Sequence, residues 1–333
     1  MARRLKAQEY IDGVHAGSRA LLSRAITVVE STLASDRVLA AEILSGISAI
    51  RPGDGFRLGI TGVPGVGKST FIDVFGTYVA DQGRKVAVLA VDPSSSITRG
   101  SILGDKTRMD RLARDPRAFV RPSPAAGSLG GVTRNTRDAI LLCEAAGFDF
   151  VIVETVGVGQ SEIAVHSMVD FFLLLMLAGA GDELQGIKKG IMEMADGVAI
   201  NKADGENVNR AKAARLEYQG ALHLFPQAAS GWMPKVLTCS ALEESGIVEI
   251  YKMLEAYKEE LEGSGWLEKK RKRQVLQWMH ETIRYQLEEQ FYSAPEIQEQ
   301  LLQMEEEVKS GKVAPTLAAN SLITLYLQLQ KQN

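Results

Sequence analysis

Residues 62–69 read Gly62-Val63-Pro64-Gly65-Val66-Gly67-Lys68-Ser69, with the apolar run FRLGIT before them and the helical stretch TFIDVFGTYVA after. This order of strand, glycine loop and helix admits few architectures, because a buried strand must deliver the chain directly to a helix N-terminus. Glycines let successive backbone N–H groups turn inward around phosphate oxygens, and the helix dipole adds to the attraction. In such a loop Lys68 neutralises the β- and γ-phosphates and Ser69 offers a hydroxyl to Mg²⁺. Residues Gly62 to Ser69, with Thr70 behind them, are the expected phosphate cradle.

The surrounding pattern agrees with that frame. Between about 56 and 262, short runs that are apolar throughout alternate with helical segments: FRLGIT, KVAVLAVD, AFVRP, FDFVIVET, VDFFLLLMLA, DGVAINK and PKVLTCS. Runs without polar alternation suit strands covered on both faces, so the expected class is α/β, a mostly parallel P-loop sheet with helices on both sides. Residues 1–55 carry apolar stripes at helical spacing and end in the breakers RPGDG, which predicts an N-terminal helical extension before the 56–262 domain. Beyond 263 the spacing is helical again, in Leu276, Met279, Ile283, Leu287 and Phe291 and then in Leu322, Leu325 and Leu329. Pro295 and Pro315 stand near the starts of their segments, where helices accept proline. Residues 263–333 are thus a C-terminal helical extension whose stripe is expected to pack, within one chain or between two.

Charge excludes some partners. With 38 Lys+Arg against 41 Asp+Glu, the chain's net charge is −3, so no general basic field exists for nucleic acid or an anionic membrane. The longest apolar run, Phe171 to Ala178, is a buried strand, since a membrane span needs about 20 residues. Cys143 and Cys239 form no CxxC and no cluster with histidine, and no apolar leader follows the N-terminus, so the expected setting is reduced and cytoplasmic. The run EKKRKR at 268–273 reads as solvated helix surface.

Three further segments carry chemistry. FDFVIVET ends in Glu154, followed by Val156 and Gly157, an ExxG at the strand edge where α/β sheets bind ligands; Glu154 is placed to hold Mg²⁺ through water. Asp92 ends KVAVLAVD and opens the polar loop PSSSITRGSILGDKTRM, a candidate switch in which Asp92 and Asp105 are the acids expected near the metal. After DGVAIN, the run Asn201-Lys202-Ala203-Asp204 matches NKxD: Asp204 can accept from the N1–H and exocyclic amine of guanine, donors that adenine lacks at those places. Lys202 would lie along the base and Asn201 would tie the loop together. Ser240-Ala241-Leu242, after PKVLTC, resembles the loop whose backbone supports the guanine O6. Together these motifs favour GTP over ATP.

The segments GVPGVGKST, VDPSSS, GDKTRM, ETVGVGQSE and NKAD resemble those of the MeaB/ArgK family, P-loop GTPases of the SIMIBI class that include the methylmalonic aciduria type A protein. The resemblance covers nearly the whole chain. It implies Mg²⁺-dependent GTP hydrolysis, a homodimer held partly by the C-terminal helices, and a cobalamin-dependent methylmalonyl-CoA mutase as partner, whose cofactor loading and protection the GTPase gates. It places Ser69, Asp92, Asp105 and Glu154 in the metal shell. It also implies that 178–190, with Asp182 and Lys188, is a loop through which the partner stimulates hydrolysis. Some members carry an older label as a lysine/arginine/ornithine transport kinase, a chemistry that nothing in these residues specifically supports.

No general base or in-chain arginine finger stands out: Val158 follows Gly157, Gln160 is three residues beyond that glycine, and Arg108 is a candidate finger without a motif to assign it. Slow intrinsic turnover, completed by the partner or the 178–190 loop, is the expectation. Other readings stand beside this one, and a targeting GTPase is disfavoured because no Met-rich signal-binding domain follows. A nickel-delivery GTPase would want a Cys/His site, yet His15, His166, His223 and His280 are scattered. A nucleotide-switched binding module would use turnover only to reset affinity.

Overall fold

The computed structural model describes residues 5–31, 33–48, 55–91, 109–121, 129–155, 161–179 and 189–332. All seven apolar runs form strands: β1 (Phe56–Gly62), β2 (Val86–Val91), β3 (Ala118–Arg121), β4 (Phe150–Thr155), β5 (Phe171–Leu177), β6 (Gly197–Asn201) and β7 (Lys235–Thr238). They make one sheet in the order β3-β2-β4-β1-β5-β6-β7, and every neighbouring pair is parallel. β1, β2, β4 and β6 are buried along their whole length, which is why they lack polar alternation.

Side chains of alternate residues enter different cores. Phe56, Leu58 and Ile60 of β1 meet Phe71 and Phe75 of the helix Lys68–Asp81 and Tyr257 of the helix Ile247–Gly263. Leu174 and Met176 of β5 join Val198 and Ile200 of β6 against Ala211, Ala214 and Tyr218 of the helix Val208–Leu222. The N-terminal helices Ala7–His15, Arg19–Glu30 and Ala34–Ser48 pack on one another and on the helix Leu129–Ala145. Arg121, the last residue of β3, reaches into this layer and donates to Ser23, Thr27 and Glu30.

At the N-terminal edge of the sheet a buried ionic cluster ties distant segments. Arg57 pairs with Glu144 through hydrogen bonds of 2.6 and 2.8 Å, and its backbone N–H donates to the Asp170 carboxylate at 2.8 Å. The same carboxylate accepts from Arg271 at 2.8 and 2.6 Å, while Lys270 donates to the Asp170 carbonyl at 2.6 Å. Burial alone would raise the Asp170 carboxyl, but the Arg271 guanidinium, aided by Arg57, outweighs it and holds the group below the ordinary carboxylate range. This corrects the reading of EKKRKR as solvated surface. Lys270 and Arg271 turn inward because a fully buried carboxylate requires cations, whereas Lys272 pairs with Glu268 at the surface.

The chain divides into two compact units, 1–274 and 275–333. In the second, the helices Pro295–Lys309 and Pro315–Gln332 each open on proline, and Phe291 packs edge-on against Tyr292 and Tyr326. The stripe Leu276, Met279, Ile283 and Leu287 lies on one face of the helix Trp266–Ser293, yet these residues remain 57, 48, 46 and 57% exposed. No helix among the described residues is long and apolar enough to cross a membrane.

Candidate functional site

Parallel strands bring their C-terminal ends to one edge, and there the sequence motifs converge. β1 runs into the glycine loop, whose last residue Gly67 begins the helix Lys68–Asp81 with φ +92°. A side chain at that position would be strained by the left-handed backbone, and its Cβ would lie 3.0 Å from Asn201 Nδ2. Val66 is buried and pins the loop, with its N–H donating to the Val63 carbonyl at 3.2 Å, while Pro64 and Gly65 are exposed. The Lys68 ammonium donates to the Gly62 carbonyl at 2.7 Å, so it lies across the loop it is expected to serve. Thr70 faces solvent.

Beside this loop, β4 is the immediate neighbour of β1, with Ile60 opposite Glu154. That register carries the Glu154 carboxylate, 3% exposed, to the first turn of the helix, where the Ser69 hydroxyl donates to its Oε1 at 3.4 Å. A hydroxyl and a carboxylate at adjoining positions form a hard-oxygen pair of the kind Mg²⁺ takes. Sequence reasoning missed a second link between the same strands: Thr155 donates to Thr61 at 2.9 Å in the buried interior. The available signal was position, since Thr61 immediately precedes Gly62 and Thr155 immediately follows Glu154.

The segments expected to read the base assemble through Asn201. Its Nδ2 donates to the Val66 carbonyl of the glycine loop at 2.8 Å, and its Oδ1 accepts from the Ala241 N–H at 3.2 Å. One carboxamide therefore joins the glycine loop, β6 and the Ser240-Ala241-Leu242 segment. Lys202 follows with φ +59°, a backbone state uncommon for a side chain of this size. It is supported by Asn207, which donates to the Lys202 carbonyl at 2.7 Å. The Ser240 hydroxyl accepts from the Glu243 N–H at 3.1 Å and so directs its own proton to the Asp204 carboxylate. Ser240 thus engages Asp204 through its side chain, whereas the sequence points only to the backbone of this segment. Leu242 is 82% exposed at the rim.

Together these contacts gather Gly62 to Ser69, Glu154, Asn201 to Asp204 and Ser240 to Leu242 at one sheet edge. An ammonium, helix N–H groups, a hydroxyl and a carboxylate there suit a phosphate chain with its cation, and Asp204 presents an acceptor to a base. Asp92, Asp105 and Lys188 lie outside the described residues, as do Arg108, Gly157, Gln160 and Asp182. Among the described residues no His/Cys/Asp/Glu group is arranged as a multi-ligand metal cluster.

Comparison with known proteins agrees with this geometry. The family model described as methylmalonyl Co-A mutase-associated GTPase MeaB matches residues 22–296. GTPase ArgK of Escherichia coli K12 is 52% identical over 273 residues, covering 81% of this chain and 82% of that protein. The mitochondrial methylmalonic aciduria type A homolog of Mus musculus is 45% identical over 334 residues, with 96% of this chain and 80% of that one covered. The crystal structure of an LAO/AO transport system kinase superposes with a TM-score of 0.76 at 38% identity, covering 98% of this chain and 99% of that one. The chain is a P-loop GTPase and belongs to the methylmalonyl Co-A mutase-associated GTPase MeaB family.

Proposed function

We propose that this GTPase is a nucleotide-dependent chaperone of a cobalamin-dependent methylmalonyl-CoA mutase, gating loading of the mutase's cofactor and protecting the enzyme. The observation that carries the nucleotide half of this reading is the Asn201 carboxamide bonded to both Val66 and Ala241, which couples the phosphate cradle to the base-reading loops as one body. The mutase half rests on the family's description.

In the proposed cycle the backbone of Gly62 to Gly67 and the helix N-terminus bind the β- and γ-phosphates. Lys68 leaves the Gly62 carbonyl and neutralises them. Asp204, oriented by Ser240, accepts the two guanine donors. Ser69 and Glu154, with Asp92 and Asp105, would hold Mg²⁺, which when bound would offset charge on the phosphate oxygens. Lys188 and its neighbours couple the partner to hydrolysis. Two such chains form a homodimer through the exposed stripe of the C-terminal helix. One solved neighbour carries a transport-kinase label, a chemistry that no motif of this sequence specifically supports.

The experiment is capture of the host's cobalamin-dependent mutases on immobilised protein, with GDP and with a non-hydrolysable GTP analogue. Mutase retained to different extents by the two forms is the expected outcome; no mutase in either form would overturn the chaperone reading while leaving the GTPase untouched.

A further inference from the structure

Cys239, the residue after β7, is bonded to the base-reading turn at three successive points. Its N–H donates to the Ile200 carbonyl at 2.8 Å, and its carbonyl accepts from the Ala203 N–H at 3.0 Å. Between those contacts its Sγ lies 3.6 Å from Asn201 Oδ1, within the range of a thiol hydrogen bond. The side chain is 1% exposed. Behind it, Gly246 has φ +75°, and a Cβ there would meet the Cys239 Cα at 2.9 Å, so glycine alone lets the 240–246 loop fold back onto Cys239. The loop closes through reciprocal bonds between Ser240 and Ser245 of 2.9 and 3.1 Å.

The thiol's role follows from the valence of the Asn201 amide. A flipped amide would point its NH₂ at the Ala241 N–H and its carbonyl at the Val66 carbonyl, replacing two hydrogen bonds by two repulsive contacts. The thiol adds a second donor to Oδ1, and so a third hydrogen bond that only the correct orientation makes. Burial pushes the Cys239 thiol up to about 12, so the sulfur keeps its proton and remains a donor throughout the working range.

We infer that Cys239 is a positioning residue for guanine discrimination: its thiol holds the Asn201 carboxamide, and through it the strained Lys202 turn, so that Asp204 meets the base at the right height. This rests on the reading of Asp204 as the guanine acceptor. Sequence reasoning saw Cys239 only as an unpaired cysteine, because the three contacts depend on the register of β6 against β7.

The test compares Cys239→Ala, which removes the donor together with the sulfur, with Cys239→Ser, which keeps a donor on a smaller γ atom. Equilibrium binding of GDP, IDP and ADP is measured, with kcat and KM for GTP and the thermal midpoint of each variant. Cys239→Ala is expected to bind GDP about fivefold more weakly than Cys239→Ser, to narrow the GDP-to-IDP ratio, and to place its loss in KM. Cys239→Ser is expected to restore the wild-type ratio. If the two variants bind alike while their thermal midpoints fall together, Cys239 is core packing and the inference is wrong. If the wild-type chain shows no preference for GDP over ADP, the guanine reading itself fails, an outcome distinguished by its appearance before any substitution at Cys239.

Discussion

The Ser69 hydroxyl and the Glu154 carboxylate stand 3.4 Å apart although 85 residues separate them in the chain. The contact exists because β1 and β4 are neighbours with Ile60 opposite Glu154, so the helix following β1 starts directly over the acid ending β4. In the proposed reading both groups would help to hold Mg²⁺, whose charge would offset that of the phosphate oxygens. The sheet's strand order is therefore what brings these two groups together.

Removing either member should separate nucleotide binding from metal use. Ser69→Ala and Glu154→Gln are each expected to lower GTP turnover on the order of 10- to 100-fold and to raise the Mg²⁺ concentration needed for half-maximal rate. Titration of activity against Mg²⁺ reads this directly. Turnover with a wild-type Mg²⁺ midpoint in both variants would remove Ser69 and Glu154 from the metal shell.

In the proposed reading base choice falls to Asp204, whose carboxylate accepts from the Ser240 hydroxyl. Asp204→Asn loses a charged acceptor for two donors and should weaken GTP by about 2 kcal/mol, roughly thirtyfold. Xanthine carries a carbonyl where guanine has its amine, so the new amide should favour xanthosine triphosphate over GTP. Competition binding with the two nucleotides checks the exchange, and unchanged GTP affinity would refute the assignment.

Much of this arrangement is legible in the sequence because the chemistry constrains residue type and spacing together. The glycine loop, NKAD and the seven apolar runs each announce themselves locally. Contacts made across the sheet do not. Asp170 and Arg271 are 101 residues apart, and nothing in EKKRKR distinguishes Lys270 and Arg271, which turn inward, from Lys272, which does not. Helical periodicity likewise identified the stripe Leu276 to Leu287 as apolar without saying that it would lie uncovered in a single chain. Register and neighbour choice decide such contacts, and both are properties of the folded sheet.

That exposed stripe is the basis for a prediction on assembly. Leu276, Met279, Ile283 and Leu287 are each about half exposed, and apolar residues aligned on one helix face are unfavourable in water without a partner surface. Ile283→Glu combined with Leu287→Glu should convert a dimer to a monomer in light scattering. A variant that keeps the wild-type mass would show that this face is not the dimer contact.

The Arg271–Asp170 contact sets a pH dependence. Asp170 is buried and its carboxyl is held below the ordinary range, so the folded state prefers the ionised form more strongly than the unfolded chain does. Its contribution is present above the unfolded carboxyl value of about 4. It is lost as pH falls through the lower folded value. Asp170→Asn removes the charge and leaves Arg271 and Arg57 facing a neutral amide, a change expected to cost about 3–5 kcal/mol near neutral pH. Denaturant unfolding of both chains across pH should show the wild-type advantage shrinking only below about pH 4. A difference that is constant with pH would mean that Asp170 acts through shape and hydrogen bonding rather than through its charge.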